Sequence, residues 1–239
     1  MRDKIAGSGK PKLFVSVSGR DKAELLRNVE IAECYDVLEW RADQFAEIES
    51  ADIKSLIRKI KKPLLFTYRT RSEGGGGGVD LEGYIALNKS AADTGEIELI
   101  DLEYFTLGEA MREVTAYANK RGVKVIASSH DFEKTPPKED IINRFRQLQN
   151  VGDIAKIAVM PRVERDVLTL INACLEFRKN YAEKPYIAIS MSERGIITRF
   201  AAEHIGSAAV YAAAVEALAP GQINAREMRK ILELAHKSI

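Results

Sequence analysis

Apolar and polar positions along the chain change period repeatedly, from two residues to about three and a half and back. Lys12 to Ser18 (KLFVSVS) reads as a strand, and Asp21 to Cys34 follows with helical spacing at Leu25, Leu26, Val29 and Ala32. Asp36 to Asp43 (DVLEWRAD) is a second strand. Ser50 then stands as the N-cap of a helix striped by Ile53, Leu56, Ile57 and Ile60, which closes in the basic residues Arg58, Lys59, Lys61 and Lys62. Further strands fall at Pro63 to Thr70, Ile97 to Tyr104, Val123 to His130, Asp153 to Met160 and Pro185 to Met191. Helices fill Leu81 to Ala92, Gly108 to Lys120, Pro137 to Gln149, Glu164 to Lys179, Arg194 to Ala202 and Asn224 to Lys237. Gly206 to Ala213 (GSAAVYAA) reads either as an eighth strand or, by the propensity of alanine, as helix. No linker interrupts the alternation, and repeated βα units imply a parallel sheet. A doubly wound sheet remains open, but eight strands in 239 residues favour one (β/α)8 TIM barrel over 1–239, close to the usual length of about 250 residues.

One strand departs from its own pattern. In Asp153-Ile-Ala-Lys-Ile-Ala-Val-Met-Pro161 both faces are apolar except for Lys156, which shares a side with Ile154, Ala158 and Met160. A lysine there either snorkels from a strand end or is held dry for a purpose, because burial disfavours its charge. The neighbouring strands bear on the choice. Glu39 and Arg41, Thr67 and Arg69 with Glu73 beyond, Asp101 and Glu103, and Ser128 and His130 fall at strand ends with spacings that put them on one face. Catalytic side chains of a barrel gather at the C-terminal ends of its strands. Ion pairing near a rim is the alternative, yet a buried charge network of this size is costly to keep for stability alone.

Composition narrows the chemistry. The chain is 46% hydrophobic and 30% charged, and 36 Lys plus Arg against 35 Asp plus Glu leave a formal charge of +1. No global field therefore calls for nucleic acid or a membrane surface. Cys34 and Cys174 fall in predicted helices without metal spacing and read as buried free thiols. Met1 to Pro11 lacks the apolar core of a signal peptide and no run is long enough to span a bilayer, so a cytoplasmic location is expected. Neither GxGxxG nor a P-loop follows a strand, and the cations beside the carboxylates oppose a bound metal; no cofactor or metal is expected. Of three histidines, His204 and His236 lie on predicted surface helices, which leaves His130. A desolvated lysine can attack a carbonyl and form a Schiff base, with a histidine as proton carrier beside it. Arg41, Arg69 and Arg199 suit an anionic or multiply hydroxylated substrate, most simply a carboxylate held by a bidentate fork. Gly74 to Gly78 is either a lid over the site or a mobile loop without function. Carboxylates Glu39, Asp101 and Glu103 would raise the pKa of Lys156, while burial and Arg41 or Arg69 would lower it; the lowering is expected to prevail.

Glu39-Trp-Arg-Ala-Asp43, Thr67-Tyr-Arg-Thr70 with Glu73-Gly-Gly, Ile100-Asp-Leu-Glu103, Ser128-Ser-His-Asp-Phe132 with Thr135-Pro136, Asp153 to Pro161, Ile189-Ser-Met191 with Arg199, and Ala219-Pro-Gly-Gln-Ile223 occur in this order. Together they resemble type I 3-dehydroquinate dehydratase over Val15 to Ile223. The resemblance implies a shikimate-pathway (β/α)8 lyase, a homodimer without cofactor, that removes water from 3-dehydroquinate to give 3-dehydroshikimate. It makes Lys156 the imine-forming residue, His130 the general acid and base, and Glu73 the carboxylate that orients it. Glu39, Arg41 and Arg69 would hold ring hydroxyls, and Arg199 with Gln222 the substrate carboxylate. Asp101 would lie near the lysine, with Glu103 and Ser128 in support. Departures are Leu218 in place of a serine, Thr198 in place of another, and the length of the glycine run. A class I aldolase, which shares the imine lysine, and a non-catalytic barrel binding a carboxylate metabolite are the competing readings.

Overall fold

Strand after strand, a run of small and branched residues enters the sheet, turns outward at a polar loop and returns through a helix. The computed structural model describes residues 9–45, 47–60 and 62–237. Most of the N-terminal stretch (1–8) and Lys61 of the basic helix end lie outside the described residues. The strands are β1 (Lys12–Val17), β2 (Val37–Arg41), β3 (Leu64–Thr67), β4 (Leu99–Glu103), β5 (Lys124–Asp131), β6 (Ile154–Val159), β7 (Tyr186–Ser190) and β8 (Ala209–Ala213). Every neighbouring pair is parallel, in the order β7-β6-β5-β4-β3-β2-β1-β8. The ring closes between β7 and β8 through a parallel bridge of Tyr186 with Ser207, where the Ala208 amide donates to the Tyr186 carbonyl at 2.7 Å. Eight parallel strands alternating with helices make this a (β/α)8 barrel.

The helices are α1 (Lys22–Ile31), α2 (Ser50–Ile57), α3 (Leu81–Ala92), α4 (Tyr104–Leu107), α5 (Met111–Asn119), α6 (Lys138–Gln149), α7 (Glu164–Asn180), α8 (Ile197–Phe200) and α9 (Ala225–Lys237). They cover the outward faces of the strands. Leu38, Trp40, Phe66, Ile100, Val125, Ile157 and their neighbours form that outer core. The inward faces carry a second core, a floor of Phe14, Val37, Leu65, Leu99, Ile126, Ile154, Ile187 and Ala209. Alternation along each strand then lifts the next inward residue above that floor, and there the side chains turn polar. The register aligns Glu103 with Ser128, Ser128 with Lys156, and His130 with Ala158.

Several boundaries differ from the sequence reading. Gly206 to Ala213 ends in a strand, β8, because pairing with β1 and burial of Val210 and Ala212 beneath α9 outweigh the small helix preference of alanine. The helix expected over Arg194 to Ala202 shrinks to the four residues of α8. Thr198 Oγ1 donates to the Gly195 carbonyl at 2.9 Å and accepts from the Ser190 amide, so side-chain bonds tie this segment to the end of β7. The helix expected over Gly108 to Lys120 breaks at Gly108 and is preceded by α4. Glu49, not Ser50, stands at the N-cap of α2, and it makes no side-chain cap bond. Asp21 caps α1 by accepting from the Glu24 amide at 2.8 Å, but that helix stops at Ile31. Cys34 therefore lies beyond it, exposed and in the left-handed region at φ 59°, whereas Cys174 is buried in α7. His204 is exposed in a turn rather than on a helix, and exposed His236 contacts Glu203 at 2.9 Å.

Candidate active site

Above the apolar floor the barrel holds Glu39, Arg41, Arg69, Glu73, Asp101, Glu103, Ser128, Lys156 and Arg199, all buried, with His130 slightly more open at the rim. Lys156 is 4% exposed, so it does not snorkel. Its Nζ donates to Asp101 Oδ2 at 2.9 Å, and the other Asp101 oxygen takes Arg69 Nη2 at 2.7 Å and Ser128 Oγ at 2.6 Å. Burial alone would raise the Asp101 carboxyl, but the cations of Arg69 and Lys156 hold it well below the usual carboxylate range. Lys156 shows the opposite balance. Burial lowers its pKa, Asp101 opposes that, Arg69 adds to it, and the lowering prevails. Arg41 is not among the leading influences on this balance.

Arg69 is the hub of the network. Besides Asp101 it reaches Glu103 at 3.0 Å, Ser128 at 3.1 Å and Glu73 at 3.6 Å. Glu103 faces away from the cavity and is saturated by the Thr70 amide, Thr70 Oγ1 and Thr106 Oγ1 at 2.6–2.8 Å. It anchors the end of β3 rather than a ligand. Glu39 accepts from Thr67 Oγ1 at 3.0 Å and from Ser16 Oγ, and Gln222 Nε2 donates to Ser16 Oγ at 3.2 Å. Arg41 points its fork at Asp43, with both contacts at 2.8 Å, and gives a further hydrogen to the Leu218 carbonyl at 3.1 Å. Asp43 went unassigned in the sequence reading, although its position two residues after Arg41 was the available signal.

His130 stands at the rim beside Glu73. Its Nδ1 is 2.7 Å from Glu73 Oε2, and the same oxygen accepts the His130 amide at 3.1 Å. Burial, with Arg69 and Lys156 nearby, keeps the imidazole pKa well below its ordinary value, so it is neutral in the ligand-free site. Burial pushes Glu73 up to about 8, against the pull of Arg69. When Glu73 is ionised it accepts from Nδ1–H and leaves Nε2 of the neutral ring a base; when Glu73 takes up a proton it donates to Nδ1, and the neutral ring carries its own hydrogen on Nε2 as a donor.

Arg199 is different again. Its guanidinium donates to the carbonyls of Tyr211 and Pro220 at 3.1 Å, Nε has no partner, and no carboxylate pairs with it among the described residues. Burial lowers its pKa to about 10, still far above neutrality. It is a cation waiting for an anion. Gln222 beside it donates to Ser16 and accepts the Leu218 amide at 2.9 Å. Leu218 uses only backbone atoms in these contacts, and its apolar side chain lines the cavity.

The glycine run is fastened along its length by hydrogen bonds from its backbone amides. Gly75 and Gly77 amides donate to the Thr70 and Arg69 carbonyls, the Gly76 amide to Asp43 and the Gly78 amide to Tyr68. A Cβ on Gly75 would lie 2.2 Å from the Arg69 carbonyl oxygen, and one on Gly74 2.3 Å from the Phe132 ring. Close approach explains these glycines, and the loop carries Glu73 to His130. The cavity, open at its mouth, is lined by Glu39, Arg41, Arg69, Glu73, His130, Lys156, Arg199 and Gln222. Asp101, Glu103 and Ser128 stand behind that lining. Tyr211 also lines it, with its hydroxyl unpaired; the sequence reading missed it, its strand being the ambiguous one.

Fold and site together define a (β/α)8-barrel enzyme with a buried amine at its centre. Residues 13–239 match the type I 3-dehydroquinase family. The chain is 44% identical to the 3-dehydroquinate dehydratase of Salmonella agona (strain SL483), over all of its own length and 98% of the relative's. Among solved structures it is similar to the type I 3-dehydroquinate dehydratase of Clostridium difficile, with a TM-score of 0.94 and 41% identity over 98% of this chain and 96% of the other. The Geobacillus kaustophilus HTA426 enzyme follows at a TM-score of 0.90 and 33% identity, covering 97% and 93%. The chain belongs to the type I 3-dehydroquinase family and with it to the hydro-lyases.

Proposed function

We propose that this protein removes water from 3-dehydroquinate to give 3-dehydroshikimate through an imine on Lys156. The observation that carries the reading is the placement of Lys156 at the centre of the barrel with a lowered pKa, in one cavity with the His130–Glu73 pair. Its neutral amine adds to the C3 ketone, a carbinolamine forms, and loss of one water leaves an iminium. That cation draws electrons from the adjacent C2–H bond, and neutral His130 takes the proton to give an enamine. The enamine expels the C1 hydroxyl, which leaves as water with the proton held by His130. Water then hydrolyses the conjugated iminium and frees Lys156, so the net change is the loss of one water.

Arg199 with Gln222 holds the substrate carboxylate, since it is the buried cation without a counterion. Glu39, Arg41 and Arg69 meet the ring hydroxyls. Glu73 sets the tautomer of His130, and Asp101 and Ser128 keep Lys156 and Arg69 in place. The Clostridium difficile relative was solved with covalently modified comenic acid, which accords with a site that bonds to its ligands. An aldolase reading has no comparable support, because the whole-length relatives are dehydratases. Homodimerisation and a cytoplasmic location complete the proposal; among the described residues no helix is long and apolar enough to cross a membrane. Ultraviolet absorbance of the conjugated enone tests the activity: it should grow when wild-type protein meets 3-dehydroquinate and stay flat with Lys156→Ala. Growth at the wild-type rate in Lys156→Ala would overturn the reading.

A further inference from the structure

We propose that Tyr211 is a positioning residue for Lys156, its ring face seating the nitrogen as ammonium and again as iminium. The inference rests on the reading of Lys156 as the imine former. Lys156 reaches across the barrel from β6 so that its Nζ lies 4.4 Å from the centre of the Tyr211 ring on β8, well inside the range of a cation over an aromatic face. The ring itself is fixed. Phe14 of β1 meets it at 5.3 Å and 75°, an edge-on contact, and Tyr211 is 3% exposed.

Chemistry gives this contact a use that Asp101 cannot supply. Asp101 holds the nitrogen through an N–H donor at 2.9 Å. On going from ammonium to iminium the nitrogen loses two of its three protons, and the hydrogen-bond hold weakens with them. A ring face needs no proton; it attracts the positive charge itself, in both states. Tyr211 therefore holds the nitrogen over the cavity while its bonds change. The phenol hydroxyl takes no part in that contact. It has no partner among the described residues, so its removal leaves no other buried group unpaired.

The test is a graded series at one position. Tyr211→Phe keeps the ring, and replacement of that phenylalanine by mono-, di- and trifluorinated phenylalanine drains the ring face of charge at nearly constant shape. The pKa of Lys156 in ligand-free protein is read from the pH dependence of its reductive methylation, followed on the Lys156 peptide by mass spectrometry. Asp101 of β4, Arg69 beyond β3, Glu39 of β2 and His130 of β5 also act on Lys156 or are acted on by it, and stay constant through the series. The midpoint should stay near the wild-type value in Tyr211→Phe and then fall stepwise by about half to one and a half pH units in all, with kcat for dehydration falling in parallel and KM holding. A midpoint constant across the fluorinated series overturns the proposal. So does a shift that comes wholly from Tyr211→Phe, which would make the hydroxyl the agent. Because the methylation needs no substrate, absence of dehydration by the wild-type protein would defeat the proposed function without touching this result.

Discussion

Asp101→Asn isolates the electrostatics of the barrel centre, because it removes one charge and almost no volume. Asp101 is fully buried and meets Lys156 at 2.9 Å and Arg69 at 2.7 Å. At an effective dielectric of about 20 each contact attracts by roughly 6 kcal/mol. Desolvation of the ions takes back several kcal/mol apiece, and removal of one partner from such a group typically costs about 3–5 kcal/mol. Asparagine also turns an NH2 toward one of the donors, so part of that loss is an unmatched hydrogen bond. In a chain of this size about 3–5 kcal/mol corresponds to a fall of roughly 6–20 °C in Tm. The pH dependence has a definite sign. The Asp101 pKa is depressed in the folded protein, so its contribution is complete above the unfolded value near ~3.9 and is lost as pH falls through the folded one. The gap between wild type and Asp101→Asn should therefore stay flat from pH 8 to about pH 5 and narrow only in strong acid. Scanning calorimetry across that range reads it, and a double-mutant cycle with Lys156→Met apportions the share of the pair. A Tm within about 2 °C of wild type at neutrality, or a gap that closes toward pH 5, would refute the reasoning.

Glu73 responds with the opposite sign: its folded pKa of about 8 lies above its unfolded value, so the stability it lends is present in acid and lost as pH rises from about 4.5 to 8. Glu73→Gln should then gain thermal stability over wild type progressively through that interval, as Tm against pH would reveal, while dehydration falls by roughly tenfold or more with the orientation of His130. Arg199→Ala should raise KM by about ten- to a thousandfold through loss of a charge-assisted fork, at a modest loss of Tm, since among the described residues two backbone carbonyls and no carboxylate lose a partner. Gly75→Ala, which drives a Cβ toward the Arg69 carbonyl at 2.2 Å, should cut activity and stability together by displacing the loop that carries Glu73; unchanged steady-state kinetics would show the loop tolerates the side chain.

Much of this architecture was legible because a barrel writes itself twice in sequence, as alternating periods and as polar residues at strand ends. Lys156 announced itself as one charge in a strand apolar on both faces, and Glu39, Arg69, Asp101 and His130 fell on the inward face by counting in twos. What stayed hidden depends on which side chains meet, whether near neighbours at a strand end or residues far apart in the chain. Arg41 suited a substrate by residue type, and its near neighbour Asp43 takes two of its donors. Glu103 shares a face with Asp101, but Thr70 and Thr106 claim its oxygens. Tyr211 was masked by the alanines of β8, whose helical preference obscured which way the ring would point. The five glycines suggested motion, and the close approach of Gly74 to Phe132 and of Gly75 to the Arg69 carbonyl was not legible from their run. Similarly, the reach of α8 was overstated because Thr198 spends its hydroxyl on the end of β7.

The central claim is that Lys156 forms a covalent imine with the substrate ketone. Borohydride added to the protein with 3-dehydroquinate, followed by digestion and mass spectrometry, tests it most directly. The account predicts a reduced, stable adduct on the peptide containing Lys156, absent without substrate and absent in Lys156→Ala. Full dehydration activity with every lysine peptide unmodified, or an adduct on a different lysine, would contradict it.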